Sequence, residues 1–126
     1  MSSVTLSKLV EALKLNNETP DIDMSQVKIF VPDVNRPALQ LAGYFDHFDS
    51  ERVQIIGYVE YTYLEHLPRE KKLPVYEQFM ASKIPCVVYT TKTTPDADML
   101  ELARKYHVPV LTTYQTTSAF MAEIIR

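Results

Sequence analysis

The residue types able to do chemistry are few and scattered. Among 126 residues there are three histidines, one cysteine and two glycines. His47, His66 and His107 are widely separated, and no histidine or cysteine pair shows metal-ligand spacing, so no metal is expected. Asp46 and Asp49 flanking His47 could hold a hard cation or form an acid–base pair, but exposed loop polarity is the simpler account. Cys86 lies within an apolar run, where a cysteine is more often an inert core thiol than a nucleophile. Thr117 and Ser118 have no histidine nearby and suit a helix cap. A P-loop needs two spaced glycines followed by Lys and Ser or Thr. Gly43 and Gly57 are each followed by Tyr, so no such phosphate cradle can form and no catalytic residue is assigned. Asp33 and Arg36 remain, with two readings. In one they brace a loop, Asp33 capping backbone N–H groups and Arg36 tying the turn down by charge-assisted hydrogen bonds. In the other they capture a ligand at the carboxyl end of a strand, where open α/β sheets bind theirs.

The elements around that pair can be read from local physics. Val27 to Val31 is an apolar run of strand length, and Pro32 cannot donate to a sheet ladder. Asp33 and Asn35 form turns, and Pro37 suits the first position of a helix. Leu39, Leu41 and Ala42 fill one face of a two-turn helix, and Gly43 stands where it would exit through a left-handed residue. An aromatic cluster follows at Tyr44, Phe45 and Phe48.

Upstream, Thr5 can cap a helix carrying Leu6, Leu9, Val10 and Leu13 at helical spacing, and Asn16 to Asp21 reads as a loop. Downstream, Arg52 to Ile56 reads as a strand ending at Gly57. Tyr58 to Leu67 reads as a helix with Val59, Tyr63 and His66 or Leu67 on one face, and the tyrosines at 58, 61 and 63, which include outward positions, pack on a neighbouring layer or offer a partner face. Pro68 should break it, and Pro74 to Ser82 should form another with Val75, Phe79 and Met80 inward. Pro85 to Tyr89 is a strand covered on both faces. Thr94 and Pro95 open a helix with Met99, Leu102, Ala103 and Tyr106 as its buried stripe. Val108 to Leu111 is a strand, and Thr117 or Ser118 opens a last helix. Strand and helix alternating at these spacings predict an α/β fold, with a mostly parallel sheet of about four or more strands and helices on both faces.

The length suits one domain spanning 1–126. The net charge of −3 leaves no footprint for nucleic acid. No apolar run reaches the roughly 20 residues needed to span a bilayer. The single cysteine and the lack of a signal-peptide pattern at the start predict a cytoplasmic location. Phe120, Met121, Ile124 and Ile125 are apolar, yet no capping residue follows before Arg126. This end reads as a cut in or just after a helix leading to another domain, or else as a terminal helix with Arg126 favourable to its dipole.

The string Asp33-x-x-Arg36-Pro37-x-Leu39-x-x-x-Gly43-Tyr44-Phe45 resembles the hallmark of the N-terminal domain of HPr kinase/phosphorylase. The likeness continues through Glu51 to Gly57, Glu60 to Leu64, Ile84 to Val88 and Thr116 to Ser118, with Ala38 where the family usually has Gly. It implies a fold similar to the Mur ligase N-terminal domain, whose uridine-binding turn carries serine where Asn35 stands. It further implies the non-catalytic N-terminal domain, for assembly or regulation, of an enzyme that phosphorylates and dephosphorylates a serine of the phosphocarrier protein HPr in bacterial carbon catabolite control. In that family a separate C-terminal P-loop domain, absent here, uses ATP or pyrophosphate with Mg, and the parent is a homo-oligomer, a hexamer. The site residues implied are Asp33, Arg36, Pro37, Gly43 and Tyr44, as structural or ligand-binding groups. The alternative is a free-standing sensor that binds a nucleotide or phosphorylated metabolite at the Asp33–Arg36 turn.

Overall fold

The computed structural model describes residues 3–30 and 32–124. In chain order the first half comprises β1 (Val4–Thr5), α1 (Leu6–Leu13), β2 (Asn16–Asn17), β3 (Lys28–Ile29), β4 (Val34–Asn35), α2 (Ala38–Leu41) and β5 (Val53–Ile56). The second half comprises α3 (Tyr58–Glu65), α4 (Arg69–Met80), β6 (Val87–Tyr89), α5 (Ala97–Tyr106), β7 (Val110–Thr112) and α6 (Thr117–Ile124). The main sheet has five strands in the order β2-β7-β6-β5-β4. The pairs β4–β5, β5–β6 and β6–β7 are parallel, and β2 joins β7 antiparallel. This is the expected α/β architecture.

Alternation along the central strands assigns the two faces. Gln54, Val87 and Val110 stand in one register row, and Ile55, Val88 and Leu111 in the next. The first face is covered by α2, α3, α4 and α5 through Leu41, Leu64, Phe79 and Met99. The second is covered by α1 and α6 through Leu6 and Phe120, with Ile29 of β3 beside them. All three crossovers between parallel strands therefore lie on one face, and the two ends of the described chain close the other. Burial on both sides explains the apolar run of β6 and of β5 apart from Gln54.

Several local expectations are corrected. The strand read at Val27 to Val31 is only Lys28–Ile29, with Val31 outside the described residues. It pairs with β1 in a separate two-stranded antiparallel sheet, because the main sheet's edge is taken by Val34–Asn35. Those two residues were read as part of a turn. Asn16–Asn17, read as loop, is a strand whose polar side chains are exposed at the opposite edge. The α4 helix begins at Arg69, with Pro68 as its N-cap and Pro74 inside it. Pro74 removes one N–H from the helix ladder, and Tyr76, Phe79 and Met80, all buried, hold the helix to the core regardless. The cap of α5 is Asp96, whose carboxylate accepts from the Met99 N–H at 2.8 Å, and not Thr94. Likewise Thr116 caps α6, its hydroxyl accepting from the Ala119 N–H at 3.2 Å. Ile125 and Arg126, read from the sequence as the end of that helix, lie outside the described residues.

On α3 the inward face is turned relative to expectation. Leu64 is buried and Tyr61 half-buried, whereas Val59 is 68% exposed and Tyr63 is also exposed. The reason is Glu60, which is buried and ion-paired, so that its side of the helix faces the sheet.

Candidate functional site

The hallmark string forms the outer edge of the sheet and the helix beside it. Pro37 is the N-cap of α2, and its carbonyl accepts from the Leu41 N–H at 2.8 Å. The helix is a single turn, not two, and Leu39 is 62% exposed while Leu41 is buried. Its exit is a Schellman motif: the Gly43 N–H donates to the Gln40 carbonyl and the Tyr44 N–H to the Leu39 carbonyl, each at 2.9 Å. Gly43 has φ +100°, and a Cβ there would meet no atom within 4 Å. The requirement for glycine is thus conformational alone. Gly43→Ala is expected to lower the unfolding free energy by about 1 kcal/mol, measured by urea denaturation, with the fold unchanged.

Three amide side chains fasten this edge to the sheet. Asn35 donates to the Oε1 of Gln54 at 2.7 Å and to that of Gln40 at 3.3 Å. Gln54 in turn donates to the carbonyls of Arg52 at 2.8 Å and Asp49 at 3.1 Å. Gln40 donates to the Tyr44 carbonyl at 3.4 Å. Gln54, in the middle of an apolar strand, is fully buried and keeps its polar atoms paired.

Arg36 points along the carboxyl ends of the strands. Its guanidinium donates to Glu60 Oε1 at 2.7 Å, and the same oxygen accepts from the Gly57 N–H at 2.9 Å. Glu60, at the third position of α3, is 3% exposed and Arg36 is 38% exposed. The carboxylate thereby caps the helix and joins the end of β4 to the end of β5. A Cβ on Gly57 would come within 2.6 Å of Thr117 Oγ1 and 2.7 Å of Arg36 Nη2. Gly57 is therefore a place of close approach, where three segments meet. Thr90, following β6, shares a hydrogen bond of 2.6 Å with Thr117 and continues the polar row.

The individual residues fall as follows. Arg36, Pro37 and Gly43 make the contacts just given. Asp33 is exposed, and among the described residues its side chain makes no hydrogen bond, so it caps no backbone group there. Tyr44 is exposed and held through its backbone. Among the described residues no group of three or more His, Cys, Asp or Glu could hold a metal ion. His66 Nδ1 lies 2.7 Å from the Thr62 carbonyl, within its own helix. Cys86 is fully buried, and burial pushes its thiol up to about 12, so it is un-ionised at neutral pH. Glu60 and Gln54 are the residues that sequence reasoning missed. The signal for Glu60 was present in Gly57-x-x-Glu60, half of a capping box at the end of a strand.

A family model described as HPr Serine kinase N terminus matches residues 4–126. The chain belongs to the HPr kinase N-terminal domain family. It is 48% identical over 126 residues to the HPr kinase/phosphorylase of Lachnoclostridium phytofermentans, covering all of this chain and 41% of that protein. It is 37% identical over 124 residues to that of Caldicellulosiruptor bescii, covering 98% of this chain and 40% of that protein. This HPr kinase N-terminal domain thus spans about 40% of the length of these curated relatives. Among solved structures, it is similar in fold to the CBS and DRTGG domains of the regulatory region of Clostridium perfringens pyrophosphatase, complexed with the activator diadenosine tetraphosphate. The TM-score is 0.57 at 17% identity, over 96% of this chain and 45% of that one. Among the described residues no helix is long and apolar enough to cross a membrane.

Proposed function

We propose that this domain is the non-catalytic, assembly or regulatory part of a bifunctional HPr serine kinase/phosphorylase acting in the cytoplasm of a bacterium. The match along nearly the whole chain to the kinase N terminus carries the reading. The content of glycine supports the word non-catalytic: with two glycines, each followed by Tyr, the chain cannot form a Gly-rich phosphate loop. In this reading the parent protein holds ATP or pyrophosphate and Mg in a different domain, acts on HPr and assembles as a hexamer. The layered sheet is compatible with a Mur-ligase-like fold, although the structural neighbour at hand is of another kind.

The test is phosphate transfer. Purified HPr incubated with this chain, Mg and either ATP or pyrophosphate is expected to remain unmodified by intact mass, while the same mixture with a full-length relative gains one phosphate. Phosphoserine formed on HPr by the 126-residue chain alone would overturn the proposal.

A second reading, a nucleotide or phosphorylated metabolite bound at the Asp33–Arg36 turn, draws on the neighbour's regulatory-domain description. Against it, the Arg36 guanidinium is already engaged by Glu60, so an anion would have to compete with a carboxylate 2.7 Å away.

A further inference from the structure

A second feature at the carboxyl ends of the strands is not absorbed by that function. A cavity of about 290 Å³ opens beside the end of β6 and the start of α5. Open α/β sheets place small ligands in this position, and the volume is just under the range usual for binding pockets, which suits a small ligand. Its floor is Tyr89, the last residue of β6, which is 2% exposed. Among the described residues the Tyr89 hydroxyl makes no hydrogen bond and is not one of the buried polar atoms left unpaired, so it is open to the cavity that the residue lines. Burial, followed by the nearby Tyr76, Asp96 and Tyr61, pushes Tyr89 well above its ordinary value, so it stays a neutral donor at every physiological pH.

The walls decide what could reach it. Asp96 is engaged on both oxygens: one accepts from the Met99 N–H at 2.8 Å, the other from Tyr76 at 2.8 Å and from Lys72 at 3.0 Å. Lys72, the only cation lining the cavity among the described residues, is thereby neutralised, and its ammonium lies 5.8 Å from the Tyr76 ring centroid. Glu65 keeps a carboxylate on the rim with no basic partner among the described residues. The lining therefore carries one excess negative charge, which disfavours phosphate and carboxylate ligands. It offers the open Tyr89 hydroxyl, the Glu65 carboxylate with Tyr61 directed at it, and aromatic surface.

We infer that this cavity is a binding site for a small uncharged polyhydroxylated molecule, of monosaccharide or cyclitol size, that accepts from the Tyr89 hydroxyl and donates to Glu65. The inference rests on the cavity and not on the kinase reading above. Glucose, ribose and myo-inositol are the probes, titrated into the isotopically labelled 126-residue chain and followed by amide NMR shifts, with glucose 6-phosphate as the charged counterpart. The expected result is saturable shifts at 61, 65 and 89–96 for at least one neutral probe. Tyr89→Phe, which keeps the ring in the core, should weaken that binding about tenfold, and the exposed Glu65→Gln about fivefold. Glucose 6-phosphate should bind more weakly than glucose. The inference is overturned if none of the neutral probes moves these amides, if neither variant weakens binding, or if the phosphorylated sugar binds more tightly.

Discussion

Phe79→Ala is expected to cost about 4 kcal/mol of unfolding free energy, the usual range for deleting a fully buried aromatic ring. Phe79 is completely enclosed on α4, and its ring stacks on Phe48 at a centroid distance of 6.0 Å. Phe48 in turn meets Phe45 edge to face at 5.8 Å. These three rings carry the segment that follows the hallmark helix onto the core, so the substitution opens a cavity and also releases that segment. Urea denaturation supplies the measurement, with exposed Val59→Ala as the control, which should stay within about 0.5 kcal/mol of the parent. A loss below about 1 kcal/mol for Phe79→Ala would show that the site collapses around the missing ring and that the stack does not anchor the loop.

The second large effect belongs to Glu60. Replacing it with Ala removes the acceptor of the Gly57 N–H and the partner of Arg36 together. A loss of about 2–3 kcal/mol is expected, below the extreme for a wholly enclosed ion pair because Arg36 still reaches water. Glu60→Gln keeps a carbonyl oxygen for both donors and should cost less than half as much. Arg36→Ala leaves Glu60 its backbone contact, and a double-mutant cycle with Glu60→Ala should return a coupling of at least about 1 kcal/mol. Strictly additive losses would mean that the 2.7 Å contact contributes nothing beyond its two separate environments.

Much of the layered architecture was legible because burial leaves a periodic trace. Leu6, Leu9, Val10 and Leu13 announce α1, and Cys86 to Tyr89 a strand covered twice. What was not legible came from tertiary pairing. Asn is poor in strands and a lone Val34 makes no pattern, so Asn16–Asn17 and Val34–Asn35 are strands because β7 and β5 offer a free edge to pair with. Pro74 looked like a helix start, yet the buried face of Tyr76, Phe79 and Met80 outweighs one lost hydrogen bond. At the site, Arg36 and Gly43 could be singled out from type and spacing. Glu60 could not be paired with Arg36, since the contact crosses from one crossover to the next. Tyr89 read simply as core, and only the packing of α3, α4 and α5 around it shows that its hydroxyl faces a cavity.

Both margins of the five-stranded sheet, β2 and β4, are only two residues long. The apolar strands that could template a foreign chain, Val53–Ile56 and Val87–Tyr89, lie inside the sheet, with β4 pairing Val53 and Gln54 on the outer side of the first. A sheet that narrows in this way exposes very little unpaired backbone at its rims, which is how natural β-structure avoids joining copy to copy into aggregates. The same brevity that hid these strands in the sequence leaves a second copy little edge to pair with.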